Sequence, residues 1–226
     1  MDEVLFLWLN ALSGLSPVFD GFLSATRMEL IKSVPFMLAL WGLWFWDRDD
    51  TERRQRRERL LAALFCAVPI IGVTRAIANA TPFSARPIHT EGLEINLIAG
   101  QSASALEGWS SMPSDHASLF FGFALAILMI HRSVGWVLLI WAVIVVSIPR
   151  VILGLHWPSD ILAGWALGGA LALLLMRPVT ALVEASRIVP YFERREMIGF
   201  PLLFLATYEF AQMFGTVRVL ISRLIT

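Results

Sequence analysis

Cysteine occurs once in this 226-residue chain, as Cys66 inside an apolar block. That excludes an intramolecular disulfide and leaves the thiol as a small buried hydrophobe. Charge is scarce as well: Asp, Glu, Lys and Arg make up 16% of the residues and cancel to a net charge of zero, so nothing in the chain as a whole points to nucleic acid or another polyanion. No cluster has the Cys/His/Glu spacing of a metal site, and two widely separated histidines without a carboxylate-rich neighbourhood argue against a zinc or magnesium centre. The opening MDEVLFLWLN has neither a basic flank nor a small-residue cleavage pattern, so no signal peptide is expected. Repeats, low-complexity tracts and composition breaks are absent too. One domain over residues 1–226 is expected.

What the chain has in excess is apolar sequence, 57% of all residues, gathered in long blocks. Such a composition defines an integral membrane protein. The expected fold is all-α, a single bundle of about five to seven transmembrane helices. Val4 to Leu23 is broken by Asn10, Ser13, Gly14, Ser16, Pro17 and Asp20, which fits two short interfacial helices better than one span. Glu29 to Trp46 reads as a span ending in an aromatic cluster. The run DRDDTERRQRRER that follows, with Arg48, Arg53, Arg54, Arg56, Arg57 and Arg59, reads as a short cytoplasmic loop by the positive-inside bias.

The topology can be walked from that anchor. Leu60 to Ala80 crosses outward with Arg75 near its outer end, residues 81–112 form an outer loop, and Pro113 to Ile130 returns to His131 and Arg132. Val134 to Leu155 crosses outward, and Ile161 to Met176 crosses back to Arg177. The catalytic core is expected over about residues 60–176. Beyond it, residues 178–226 should form an amphipathic cytoplasmic segment, Pro178 to Glu196, and a further span from Met197 to Gly215 containing Tyr208 and Glu209. His89 and His131 read as ordinary surface histidines.

Three polar clusters fall on the outer side in this topology. In SIPRVILGLHWPSD, Arg150 lies in an apolar run where an ionisable group is costly and by default functional. Pro158 suits the first position of a helix, and Asp160 one turn from His156 can hold one ring nitrogen and leave the other nucleophilic. Next, Ser111 to His116 reads SMPSDH directly before an apolar helix. The N–H groups of Ser114, Asp115 and His116 at that helix start would form an anion site. The remaining cluster is Arg86-Pro87, following Arg75 and Asn79. Two imidazoles with several arginines suit phosphoryl transfer, one histidine attacking phosphorus and the other protonating the departing oxygen, with the cations stabilising the transition state. The bland alternative is a snorkelling arginine beside a capping histidine.

Together the clusters resemble the type 2 phosphatidic acid phosphatase superfamily. The match is carried by Arg86-Pro87, by Pro113-Ser114-Asp115-His116, and by Arg150 with His156 and Asp160. The resemblance implies that His156 is the nucleophile, Asp160 its orienting carboxylate and His116 the acid and then the base. It also implies that Arg86, Ser114 and Arg150 clamp the phosphate, and that the reaction uses neither metal nor cofactor. Two positions depart from the pattern. Asn79 stands where the first motif usually has a lysine, a charge that Arg75 is the candidate to replace, and Pro149 stands where a serine usually precedes the arginine. Asp115, in place of the commoner glycine, is similar to the bacitracin-resistance-type undecaprenyl-diphosphate phosphatases. Asp115, Arg75 and Asn79 therefore join the candidate substrate-binding set.

The expected function is hydrolysis of a polyprenyl (undecaprenyl) diphosphate through a phosphohistidine at the extracytoplasmic face of a bacterial inner membrane. Its partners would be the phosphorylated lipid and the surrounding membrane lipids, with no nucleic acid. The alternatives are a phosphatase of phosphatidate or phosphatidylglycerophosphate, a lipid phosphotransferase, and, from another class, a membrane transporter. Oligomeric state is not legible in the sequence.

Overall fold

The structure is a computed structural model that describes residues 1–46 and 49–225. Among these residues the chain is helical without strands: α1 (Asp2–Asn10), α2 (Pro17–Thr26), α3 (Glu29–Trp44), α4 (Asp50–Ala80), α5 (Asp115–Ile130), α6 (Arg132–Trp141), α7 (Ile148–Ile152), α8 (Pro158–Ser186), α9 (Ile188–Arg194), α10 (Glu196–Ala211) and α11 (Gly215–Ile225). It is an integral membrane helical bundle. The stretches Asp50–Ala80, Arg132–Ile152 and Pro158–Ser186 are each long and apolar enough to cross a bilayer, while the 16-residue helices α3, α5 and α10 pack into the same bundle.

At the centre, α5 packs against α4 and α8. Its contact with α8 is set by glycine. A Cβ on Gly168 would lie 2.0 Å from the Ser118 carbonyl oxygen, one on Gly122 2.6 Å from the Gly168 carbonyl oxygen, and one on Gly164 2.8 Å from the Ser114 carbonyl oxygen. Gly164 and Gly168 form a G-x-x-x-G pair, the small-residue pattern that lets helix backbones approach in a membrane. Because α5 and α8 both begin at the same end of the bundle, this contact sets their N-termini side by side. Aromatic packing adds the outer helices: Phe210 of α10 meets Phe123 at 4.4 Å and Phe36 of α3 meets Phe120 at 4.9 Å.

Several expectations need correcting. The arginine run is not a loop: from Asp50 onward it forms the first turns of the 31-residue α4. Asp49 caps this helix by accepting from the Thr51 and Glu52 N–H groups at 2.9 and 3.0 Å, and no glycine or proline interrupts the turns that follow. Arg54 pairs with Glu58 at 3.2 Å and Arg53 with Asp50; Arg48 lies outside the described residues. At about 1.5 Å per residue α4 is longer than the roughly 30 Å hydrocarbon core, so its charged turns project beyond the apolar part. The amphipathic segment docks there, with Arg57 donating to Glu193 at 2.8 Å and to the Trp44 carbonyl oxygen at 3.0 Å.

Nor does Pro178 end α8, which continues to Ser186 and stops where Arg187 takes a left-handed φ of 54°. Proline inside a membrane helix is tolerated where neighbouring groups satisfy the freed carbonyl. The crossing expected over Val134 to Leu155 ends at Ile152 and holds a π-helical segment, Ala142–Ser147, just before Pro149. A proline cannot donate the next helical hydrogen bond, and an extra residue in the turn accommodates the gap. The N-terminal helices are two, as expected, and they dock on the end of the bundle where α8 begins. Phe6 packs on Trp157 at 5.4 Å, Asn10 Nδ2 donates to the Ile152 carbonyl oxygen at 2.8 Å, and Asp2 accepts the Ser159 N–H at 3.0 Å.

Candidate active site

The three motifs are cross-linked mainly through backbone groups. Ser111 N–H donates to the Ser84 carbonyl oxygen at 2.9 Å, Ile88 N–H to Gly154 at 3.0 Å and Ser114 N–H to Asp160 at 3.1 Å. The Trp157 indole N–H reaches the Ala85 carbonyl oxygen at 2.9 Å. Each motif thus holds the next, and Arg86, His116, Arg150, His156 and Asp160 converge at one end of the bundle.

His156 is 1% exposed and hydrogen-bonded through both ring nitrogens. Nδ1 lies 2.9 Å from the Ser111 carbonyl oxygen, which can only accept, so Nδ1 carries the proton. Nε2 then presents its lone pair to the Arg86 guanidinium at 3.2 Å. Asp160 is farther from Nδ1, at 3.5 Å, and its Oδ2 accepts the Trp157 N–H at 2.7 Å. The nearest acceptor for the ring is therefore a backbone carbonyl, which the motif spacing did not reveal. Burial pulls the His156 imidazolium below its ordinary range; the charges of Arg86 and Arg150 act in the same direction and Asp160 opposes them.

Arg86 is held by three carbonyl oxygens, those of Leu155, Ser110 at 3.2 Å and Trp109 at 3.3 Å. Burial lowers the pKa of its guanidinium, and the carboxylates of Asp115 and Asp160 counter the shift. Arg150 is also buried, and its Nε has no hydrogen-bond partner among the described residues. A buried unsatisfied donor costs free energy, and an anionic oxygen arriving here would satisfy it.

His116 has a different neighbourhood. Its Nδ1 lies 2.8 Å from Asp115 Oδ1, and its Nε2 lies 3.2 Å from Nζ of Lys32 on α3. Lys32 in turn donates to Glu29 Oε1 at 2.8 Å. With Arg150, these groups line a cavity of about 220 Å³ that also has apolar walls from Leu106, Leu153 and Leu155. The sequence reading missed Lys32 and Glu29, because they lie in an apolar helix far from every motif.

Other candidates fall differently from their expected places. Asp115 orients His116 and pairs with Arg75 at 3.4 Å, so it stands behind the imidazole. Arg75 lies against the Trp109 ring at 4.3 Å. Asn79 is exposed and borders a separate groove with Arg75 and Ser110. Ser114 is fully buried as the N-cap of α5, its hydroxyl accepting from Ala117 N–H at 3.4 Å. Pro113 precedes that cap and is not in the first helical turn. Of the N–H groups expected to bind an anion, that of Ser114 is taken by Asp160 and that of His116 by the Asp115 carboxylate at 2.8 Å. No group of three or more His, Cys, Asp or Glu side chains that could hold a metal occurs among the described residues.

A membrane bundle with two imidazoles and buried guanidiniums at one end is the architecture of a membrane-embedded phosphatase. The chain belongs to the PAP2 superfamily, whose family model matches residues 84–184, and it is a hydrolase of that phosphatase family. It is 32% identical over 164 residues to YbjG of Escherichia coli strain K12, provisionally named an undecaprenyl-diphosphatase, covering 73% of this chain and 75% of that one. The undecaprenyl-diphosphatase BcrC of Bacillus subtilis strain 168 is 24% identical over 78% of this chain and 83% of its own length. A Bacillus licheniformis protein named bacitracin transport permease protein BcrC is 34% identical over 38% of this chain and 42% of its own. No solved structure matches the chain significantly.

Proposed function

We propose that the protein hydrolyses a polyprenyl diphosphate, of the undecaprenyl type, at the extracytoplasmic face, without a metal and through a phosphohistidine on His156. The observation that carries this reading is the His156 ring itself. Ser111 fixes its tautomer, and its Nε2 lone pair points at a guanidinium that phosphate oxygens can take over. In the first step Nε2 bonds to the terminal phosphorus and the bridging P–O bond breaks. The electron pair passes to the departing lipid phosphate, and His116, protonated once the anionic substrate is bound, supplies a proton to that oxygen. Neutral His116 next takes a proton from water as the water oxygen attacks phosphorus. The P–N bond then breaks and returns its pair to His156, releasing inorganic phosphate.

Arg86 and Arg150 stabilise the charge on the equatorial oxygens. Asp115 holds His116, Asp160 holds the turn that presents His156, and Ser114 fixes the start of α5. A pocket rich in guanidinium and ammonium groups repels a divalent cation, which supports a metal-free reaction. The names of the relatives support the substrate class, and the arginine-rich first turns of α4, at the end of that helix away from the site, support an outward-facing site by the positive-inside bias.

The test is purified protein in detergent with a lipid diphosphate labelled in its terminal phosphate. Rapid acid-free quenching should trap an acid-labile, base-stable label on the protein, lost in His156→Ala, with turnover unaffected by EDTA. An unlabelled wild-type protein with full turnover would remove the covalent intermediate, and complete loss of activity on chelation would remove the metal-free mechanism.

A further inference from the structure

Lys32 is 2% exposed, and its ammonium donates to Glu29 Oε1 at 2.8 Å, a carboxylate whose side chain is 41% exposed and whose other oxygen has no hydrogen-bond partner among the described residues. The ammonium leans on His116 Nε2 at 3.2 Å. That nitrogen, beside the ammonium, is the one that can act on the departing oxygen, since Nδ1 faces Asp115. The cation therefore stands on the leaving-group side of the reaction, opposite in role to Arg86 at the nucleophile.

From this geometry we infer that Lys32, held by Glu29, is a specificity-determining residue that selects a phosphoanhydride over a phosphate monoester by neutralising an anionic leaving group. The inference rests on the phosphatase reading above. The chemistry separates the two substrates cleanly. A lipid monophosphate expels a neutral alcohol, which departs only with a proton and so depends on His116. A lipid diphosphate expels a lipid monophosphate, whose second ionisation lies near about 6. It departs readily as an anion and needs charge neutralisation more than a proton. An ammonium fixed beside the departing oxygen in a water-poor cavity serves that second case and gives the first little. The apolar walls beside Lys32, from Leu106, Leu153 and Leu155, suit the start of a lipid tail carried on that same leaving phosphate. The position also supplies from α3 a positive charge that Asn79 does not provide.

The experiment compares kcat and KM for farnesyl diphosphate and farnesyl monophosphate, which share one tail, using full-length protein in detergent. The variants are Lys32→Gln, the paired Glu29→Gln/Lys32→Gln that leaves no uncompensated carboxylate, Lys32→Arg and His116→Ala. Both Gln variants should lose about 100-fold in kcat/KM on the diphosphate, the scale of removing one transition-state donor, and under about 5-fold on the monophosphate. Lys32→Arg should recover most of the diphosphate rate. His116→Ala should show the reverse preference, hurting the monophosphate more. Equal losses on both substrates in the paired variant, or no loss on either, would overturn the assignment of Lys32 while leaving the phosphatase reading intact. A wild-type protein that cleaves neither would instead overturn that reading. If the wild type cleaves the diphosphate alone, recovery by Lys32→Arg supports the inference, and failure of that variant to exceed Lys32→Gln overturns it.

Discussion

The Ser114 N–H donates to the Asp160 carbonyl oxygen at 3.1 Å, so the helix start that carries His116 is bonded to the one that follows His156. This bond exists because Gly164 and Gly168 let α8 lie against the backbone of α5, with no room for a Cβ at Gly168. Gly168→Leu should therefore lower the thermal midpoint and cut turnover at least 100-fold, since forcing extra atoms into such a contact costs about 1–3 kcal/mol or more. Gly72→Ala, where an added Cβ meets nothing within 4 Å, should leave both unchanged. Thermal unfolding and activity in the same detergent check the pair.

Asp115 and Arg75 should separate in their effects. Asp115 touches His116 directly at 2.8 Å, whereas Arg75 reaches only Asp115, at 3.4 Å. Asp115→Asn should reduce kcat about 10- to 100-fold, less than the roughly 100- to 10,000-fold of the acid–base group itself because Asp115 acts through His116, with little change in KM. Arg75→Ala should reduce it less than 10-fold. An Arg75 variant as impaired in KM as an Arg86 variant would place Arg75 in the phosphate clamp after all.

The pH dependence follows from His156. The nucleophile must be neutral, and burial, Arg86 and Arg150 hold its imidazolium below the ordinary value of 6.5. More than half of His156 is then neutral at pH 6.5, so the acid limb of kcat/KM should lie below that pH. Removing a lowering charge raises the limb and removing Asp160 lowers it. Arg86→Gln and Asp160→Asn should thus shift the acid limb in opposite directions while both reduce its height. Coincident limbs in the two variants would exclude His156 as the titrating group.

Sidedness can be read with thiols, because Cys66 is buried and gives a low background. Ser102→Cys in the loop before α5 and Thr51→Cys at the start of α4 are both exposed positions. In intact cells a membrane-impermeant maleimide should label the first and spare the second until the membrane is opened. The reverse pattern would place the active site in the cytoplasm.

Sequence alone determined the class of protein, the helical character of the blocks and the histidines and arginines of the motifs. These rest on local rules: apolar run length against bilayer thickness, proline and serine at helix starts, and fixed spacings within a turn. Local rules also erred where a neighbour decided the outcome. The arginine run counts as a loop by charge, yet Asp49 capping and docking against Glu193 make it helix. Asp160 does stand beside the histidine as its spacing predicts, 3.5 Å from Nδ1, and the fold adds the Ser111 carbonyl oxygen at 2.9 Å. Asp115 reads as a substrate contact by motif position, and the fold sets its carboxylate 2.8 Å from the imidazole beside it. Only tertiary structure brought in Lys32, 84 residues from His116 along the chain. No spacing rule reaches that far, because helix packing, set by side-chain shape on several elements at once, decides which face of α3 meets the start of α5.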